Sequence, residues 1–90
     1  MLKITRLESP GTVAVLKLEG RLVGPWVGAL REIAEAELAL QRPLAFEVSG
    51  VSFVDRRGEI LLRELVSRQV RLDGPSGFVR ELLQSNGGSR

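Results

Sequence analysis

Between Leu44 and Leu65 the spacing of apolar residues changes from two to nearly four across one short turn. Leu44, Phe46 and Val48 alternate with Ala45, Glu47 and Ser49, the pattern of a strand with one buried face. Asp55 then stands where a helix N-cap is wanted, since its carboxylate can accept amide hydrogen bonds from the first turn. Ile60, Leu61, Leu62, Leu65 and Val66 follow at helical spacing. A strand that feeds a helix this directly, with further strands on either side, commits the chain to right-handed parallel crossovers in an α/β fold.

The remaining segments fit that frame. Leu2 to Leu7 alternates as a first strand, and Ser9-Pro10-Gly11-Thr12 forms a turn. Val13 to Glu19 alternates again, with Ala14, Leu16 and Leu18 on one face, so the two segments predict a hairpin. Gly24-Pro25 opens a helix whose apolar stripe is Val27, Leu30, Ala34 and Leu38, flanked by Ile33, and Pro43 ends it. Gln69 to Leu72 predicts a fourth, edge strand. Asp73 to Gly77 turns into a last helix with Phe78, Val79, Leu82 and Leu83 inward. The expected order is β-β-α-β-α-β-α. It makes a small four-stranded mixed sheet with strands two to four parallel, the first antiparallel to the second, and the helices mainly on one face. Residues 1–84 are read as one domain and 85–90 as a flexible C-terminal tail.

Composition excludes several classes of function. The chain of 90 residues has neither Cys nor His, which removes disulfides, thiol chemistry, the usual general base and the commonest metal ligand. Residues 1–45 carry six bases and five acids, and residues 46–90 carry seven and six. So even a distribution gives no electrostatic footprint for nucleic acid or anionic lipid. No apolar run approaches the roughly 20 residues of a membrane span. No carboxylate pair has a catalytic setting, and Gly20 to Gly28 lacks the Lys-Ser/Thr of a phosphate loop. The expectation is a cytoplasmic, non-enzymatic domain with no cofactor and no metal.

In an open α/β sheet, partners gather beyond the carboxyl ends of the parallel strands. The loops expected there are Gly20 to Pro25, Ser49 to Arg57 and Asp73 to Gly77. Asp55-Arg56-Arg57-Gly58 is the most unusual, because two arginines add positive charge to the positive end of a helix. That violation of a local rule marks the turn as a candidate docking surface, or as a receiver for an anion. Trp26, at the start of the first helix, is a candidate interface anchor. Ser49 and Ser52 are candidate ligand contacts, although hydrogen bonding within the turn explains them more simply. Val13 and Val15, on the less covered sheet face, could support a homodimer.

The run Phe46-Glu47-Val48-Ser49-Gly50-Val51-Ser52-Phe53-Val54-Asp55, followed by Arg56-Arg57-Gly58 and a Leu-rich helix, resembles the STAS domain. That is the family of bacterial anti-sigma factor antagonists and of the cytoplasmic tails of sulfate transporters. Leu18-Glu19-Gly20-Arg21-Leu22 is similar to the family's second strand and its exit. Gly74-Pro75-Ser76-Gly77-Phe78-Val79-Arg80 resembles the entry to a later helix. The resemblance is strongest over residues 44–65 and extends over 2–84.

There are two departures from the family pattern. The resemblance implies that the residue after Asp55 is a phosphate-accepting serine, but here it is Arg56, followed by Arg57. An arginine cannot accept phosphate in the usual kinase reaction. The resemblance therefore implies a regulatory protein-interaction module without its phosphorylation switch. The second departure is length: the chain between the central helix and the fourth strand is short, and the family's C-terminal strand or extra helix is missing after Leu83, so the docking helix is expected to be short or tilted. Binding would fall to Asp55, Arg56, Arg57, Gly58, Leu61 and Trp26, and the partner would be a kinase-like anti-sigma factor. Some stand-alone members bind the ATPase of lipid transporters, which makes an accessory transport subunit the alternative. A small anionic-ligand sensor using Ser49, Ser52 and Arg56 is a third.

Overall fold

The computed structural model describes residues 1–7, 13–74 and 79. Six elements follow one another: β1 (Leu2–Leu7), β2 (Ala14–Leu22), α1 (Pro25–Ala39), β3 (Leu44–Val54), α2 (Arg56–Ser67) and β4 (Arg71–Asp73). They form one mixed sheet in the order β1-β2-β3-β4. β1 is antiparallel to β2, and β2, β3 and β4 are mutually parallel. This is the expected topology. The expected turn at Ser9–Thr12, the last helix and the tail lie outside the described residues. Val79 alone among the last helix's inward residues is described, and it is fully buried in the core.

The core lies between one sheet face and the two helices. Ala14, Leu16, Leu18 and Leu22 of β2 and Leu44, Phe46, Val48, Val51 and Val54 of β3 meet Val27, Leu30 and Ala34 of α1 and Leu61, Leu62 and Leu65 of α2. Phe46 is completely buried at the centre. The opposite face carries Val15, Lys17 and Glu19 beside Glu47, all partly exposed. Ala45 is shielded there by its strand neighbours Val15 and Arg71. The two described helices thus cover one face only.

β3 is longer than its alternation suggests. The sequence reads residues 49 to 57 as a loop, whereas the strand continues to Val54. Two irregularities account for the difference. Glu19 pairs with Gly50 where an unbroken register from Lys17–Glu47 would bring Ser49, and Arg21 pairs with Phe53 directly after Gly20–Val51. Each inserts one extra residue into β3, as a β-bulge does. The inward residues therefore fall at 44, 46, 48, 51 and 54, opposite 14, 16, 18, 20 and 22 of β2. A strict period of two fails at Ser49 although the core face is never lost.

Three smaller expectations also change. β4 starts at Arg71, because Gln69 takes a positive φ of 76° as the chain leaves α2. Ile33, expected beside the stripe of α1, is exposed, and Glu37 is buried in its place. The Glu37 carboxylate is held by Arg6 of β1 and by Arg42, which makes its burial tolerable. Leu61, expected at the docking face, is fully buried, and Ile60 is the exposed apolar residue of that turn. The inward period of α2 runs Gly58, Leu61, Leu62, Leu65, so its neighbour Ile60 must point away.

Candidate functional site

β2 and β3 end side by side, with Leu22 paired to Val54. Each passes into a helix, so the starts of α1 and α2 lie together at the carboxyl edge of the sheet. Asp55 joins them. Its backbone N–H donates to the Leu22 carbonyl at 3.1 Å. One carboxylate oxygen accepts the Gly58 N–H at 2.8 Å, an ordinary N-cap of α2. The other accepts the Gly24 N–H at 2.9 Å. Gly24 is the N-cap of α1, with a φ of 56° and no side chain with which to cap itself. One carboxylate therefore serves both helix starts.

The acidity of Asp55 follows from this geometry. The Gly24 amide, then the Gly58 amide, holds its carboxyl below the ordinary aspartate range, and the positive charge of Arg57 helps. The unfolded chain then takes up this proton at a higher pH than the folded one. The stabilisation is complete above the ordinary aspartate range and is lost as pH falls through the depressed folded value. Denaturant titrations across acidic pH should show this loss, and Asp55→Ala should remove its share. Glu35 and Glu64, each held low by a hydrogen-bonded arginine, add acid dependence of the same sign.

Gly58 is required for the closeness of this junction. A Cβ there would lie 2.8 Å from a Val54 methyl group and 2.9 Å from the Leu22 carbonyl oxygen. The start of α2 thus rests directly on the two strand ends. Arg56 and Arg57, by contrast, are exposed. Among the described residues neither has a carboxylate ion-pair partner. Glu59 is engaged by Arg63 at 3.1 Å, while Asp55 is occupied by amides.

Lower down, α1 and α2 are laced together by two bidentate pairs. Arg31 donates to Glu64 with both contacts at 3.0 Å, and Arg68 donates to Glu35 at 2.7 and 3.0 Å. Above the lacing the helices leave a cleft of about 270 Å³, lined by Gly24, Val27, Gly28, Arg31, Arg57 and Ile60. Trp26, about one-third exposed, stands in the first turn of α1.

The structure thus gathers Asp55, Arg56, Arg57, Gly58 and Trp26 near the two helix starts and assigns Leu61 to the core. Ser49 and Ser52 lie on β3. The Ser49 hydroxyl donates to the Glu47 carboxylate, and that of Ser52 donates to the Gly20 carbonyl at 3.2 Å, beside the second bulge. Phe53 is exposed too, with the Arg21 guanidinium 5.4 Å from its ring centre. Sequence reasoning missed the cleft and the Asp55–Gly24 bond, since both depend on residues about 30 positions apart. An isolated glycine inside a helical pattern, Gly28, was the available signal. Among the described residues no acidic cluster is suited to a metal ion, and no helix is long and apolar enough to cross a membrane.

No family model and no curated protein matches the sequence. Among solved structures, the fold is similar to that of the anti-sigma factor antagonist SpoIIAA in its unphosphorylated form, with a TM-score of 0.69 and 23% identity. The match covers 94% of this chain and 81% of that one. The chain therefore has a STAS-like fold.

Proposed function

We propose that this chain is a non-catalytic protein-docking module of bacterial regulation, resembling an anti-sigma factor antagonist, whose docking edge works without phosphorylation. One observation carries the reading. In a SpoIIAA-like fold, the turn that opens α2 is held by Asp55 and Gly58 yet presents two exposed arginines that form no ion pair among the described residues. The position at which the STAS resemblance places a phosphate-accepting serine is Arg56. A regulatory edge has kept its frame and lost its acceptor hydroxyl.

The surface has the composition of a docking site. Arg and Trp are enriched where interfaces concentrate their binding energy, and Trp26, Arg56 and Arg57 all stand at the helix starts. Ile60, 52% exposed, adds apolar area that the fold itself does not bury. Partner contact at this edge would require little rearrangement, because both helix starts are fixed by one side chain. The lipid-transporter ATPase and the anti-sigma factor are both protein partners for such an edge. A small-anion sensor is less well supported, because Arg31, one of the two cations lining the cleft, is already committed to Glu64.

A photo-crosslinking residue placed at Ile60, and separately at Lys17 on the opposite sheet face, tests the reading in cells of the source organism. Ile60 is expected to give a protein adduct of one defined size and Lys17 none. Intact-mass measurement of the purified chain is expected to show no phosphate on residues 55–58. Adducts from Lys17 alone would overturn the assignment of the docking edge.

A further inference from the structure

We infer that the cleft between the starts of α1 and α2 seats an acidic segment of the partner protein, an aliphatic side chain lying over Gly28 and carboxylates meeting Arg56 and Arg57. This deepens the docking reading and rests on it.

Gly28 is the first support. Glycine within a helix costs about 1 kcal/mol relative to alanine, and buried glycines commonly offset this by close packing. Gly28 does not. It is exposed, a Cβ there would meet no atom of the described residues within 4 Å, and its φ is not positive. Nothing inside the fold uses the missing side chain. What the glycine creates is room in the cleft, beside the apolar surfaces of Val27 and Ile60. Such room admits the side chain of an incoming segment close to the helix backbone.

Charge sets the character of that segment. Of the cations around the cleft, Arg31 is neutralised by Glu64 and Arg63 by Glu59. Arg57, on the cleft wall, feels the Asp55 carboxylate but forms no ion pair with it, and among the described residues Arg56, on the outer side of Ile60, forms none either. The helix ends add potential of the same sign. A guanidinium fork matches a carboxylate in two parallel hydrogen bonds, so a segment with two or more acids flanking an apolar residue complements the site. A nucleic acid or anionic membrane would need a longer basic track. Elsewhere Arg6 and Arg42 share Glu37, Arg68 holds Glu35 and Arg71 holds Asp73. Among the described residues Lys3 and Arg21 also lack a carboxylate ion pair, Arg21 lying over the Phe53 ring, but neither lines the cleft.

The test is an amide-shift titration of the isotope-labelled whole chain with an acetylated peptide of Glu-Glu-Leu repeats. Shifts are expected at Gly24, Gly28, Arg57 and Ile60, and the double variant Arg56→Glu/Arg57→Glu should weaken binding by about tenfold or more. Gly28→Gln should weaken it as well, and because glutamine favours a helix over glycine, that loss cannot be assigned to unfolding. The inference is overturned if no shift occurs at the cleft. It is overturned equally if a Lys-Lys-Leu peptide, inorganic phosphate, an oligonucleotide or anionic vesicles bind there as tightly. In cells, Ile60 adducts that persist undiminished in the charge-reversed variant sink this inference while leaving the docking edge standing. Adducts from Lys17 alone sink the docking edge itself.

Discussion

Replacing Asp55 with alanine is expected to lower the stability of the chain by about 2–4 kcal/mol, a large share of what a domain this size has to lose. The estimate has two parts. Losing the N-cap of α2 costs about 0.5–2 kcal/mol by itself. The Gly24 N–H, received at 2.9 Å by the other oxygen, loses its acceptor in the same substitution. A partly buried donor left without a partner adds about 1–3 kcal/mol. At roughly 4–8 °C per kcal/mol for a small domain, thermal unfolding should move down by about 8 °C or more. Asp55→Asn should be intermediate. It keeps one acceptor oxygen but turns an amino group toward one of the two amides. If Asp55→Ala melted within about 2 °C of the parent, the carboxylate would not be the junction of the two helices.

Gly58→Ala is the second large effect, and its sign is the informative part. By helix propensity alone alanine should stabilise α2 by about 1 kcal/mol. The new Cβ, however, would sit 2.9 Å from the Leu22 carbonyl oxygen, a backbone atom that cannot swing aside. Overpacking of this kind costs about 1–3 kcal/mol and sometimes more. A net destabilisation of up to about 2 kcal/mol is therefore expected in denaturant titration. Gly28→Ala makes the contrast, because nothing stands in its way and propensity should win. Two glycines in the first turns of two neighbouring helices should thus respond oppositely to the same methyl group. Stabilisation by Gly58→Ala would mean that α2 does not rest on the strand ends.

Much of this architecture could be read from residue order alone. β1 begins and ends at the expected residues, α1 starts at Pro25, and Asp55 caps α2 as its carboxylate suggested. Local rules govern these features, and local rules are visible in sequence. The misreadings have a common origin in contacts between distant segments. β3 was cut short because its two extra residues are defined by pairing to β2, not by anything in β3 itself. The burial of Glu37 has no local signal because Arg6, 31 residues earlier, is what neutralises it. Leu61 and Ile60 exchanged roles because the composition of the first turn of α2 does not reveal which side faces the sheet. The arginine turn was legible as unusual. The cleft that gives it a neighbour was not, since it exists only where α1 and α2 lie together.

The irregular pairing of β3 bears on how such a chain can change over evolutionary time. In a regular strand, losing one residue turns every later side chain to the other face. Here, removing one residue at each bulge would bring Leu44, Phe46, Val48, Val51 and Val54 into unbroken alternation against the same partners on β2. Short deletions at Ser49–Gly50 and Ser52–Phe53 are therefore compatible with an intact interior. What they would alter is the local twist, and with it the aim of the arginine turn that follows. Relatives of different strand length could then share one core while pointing the start of α2 at different partners.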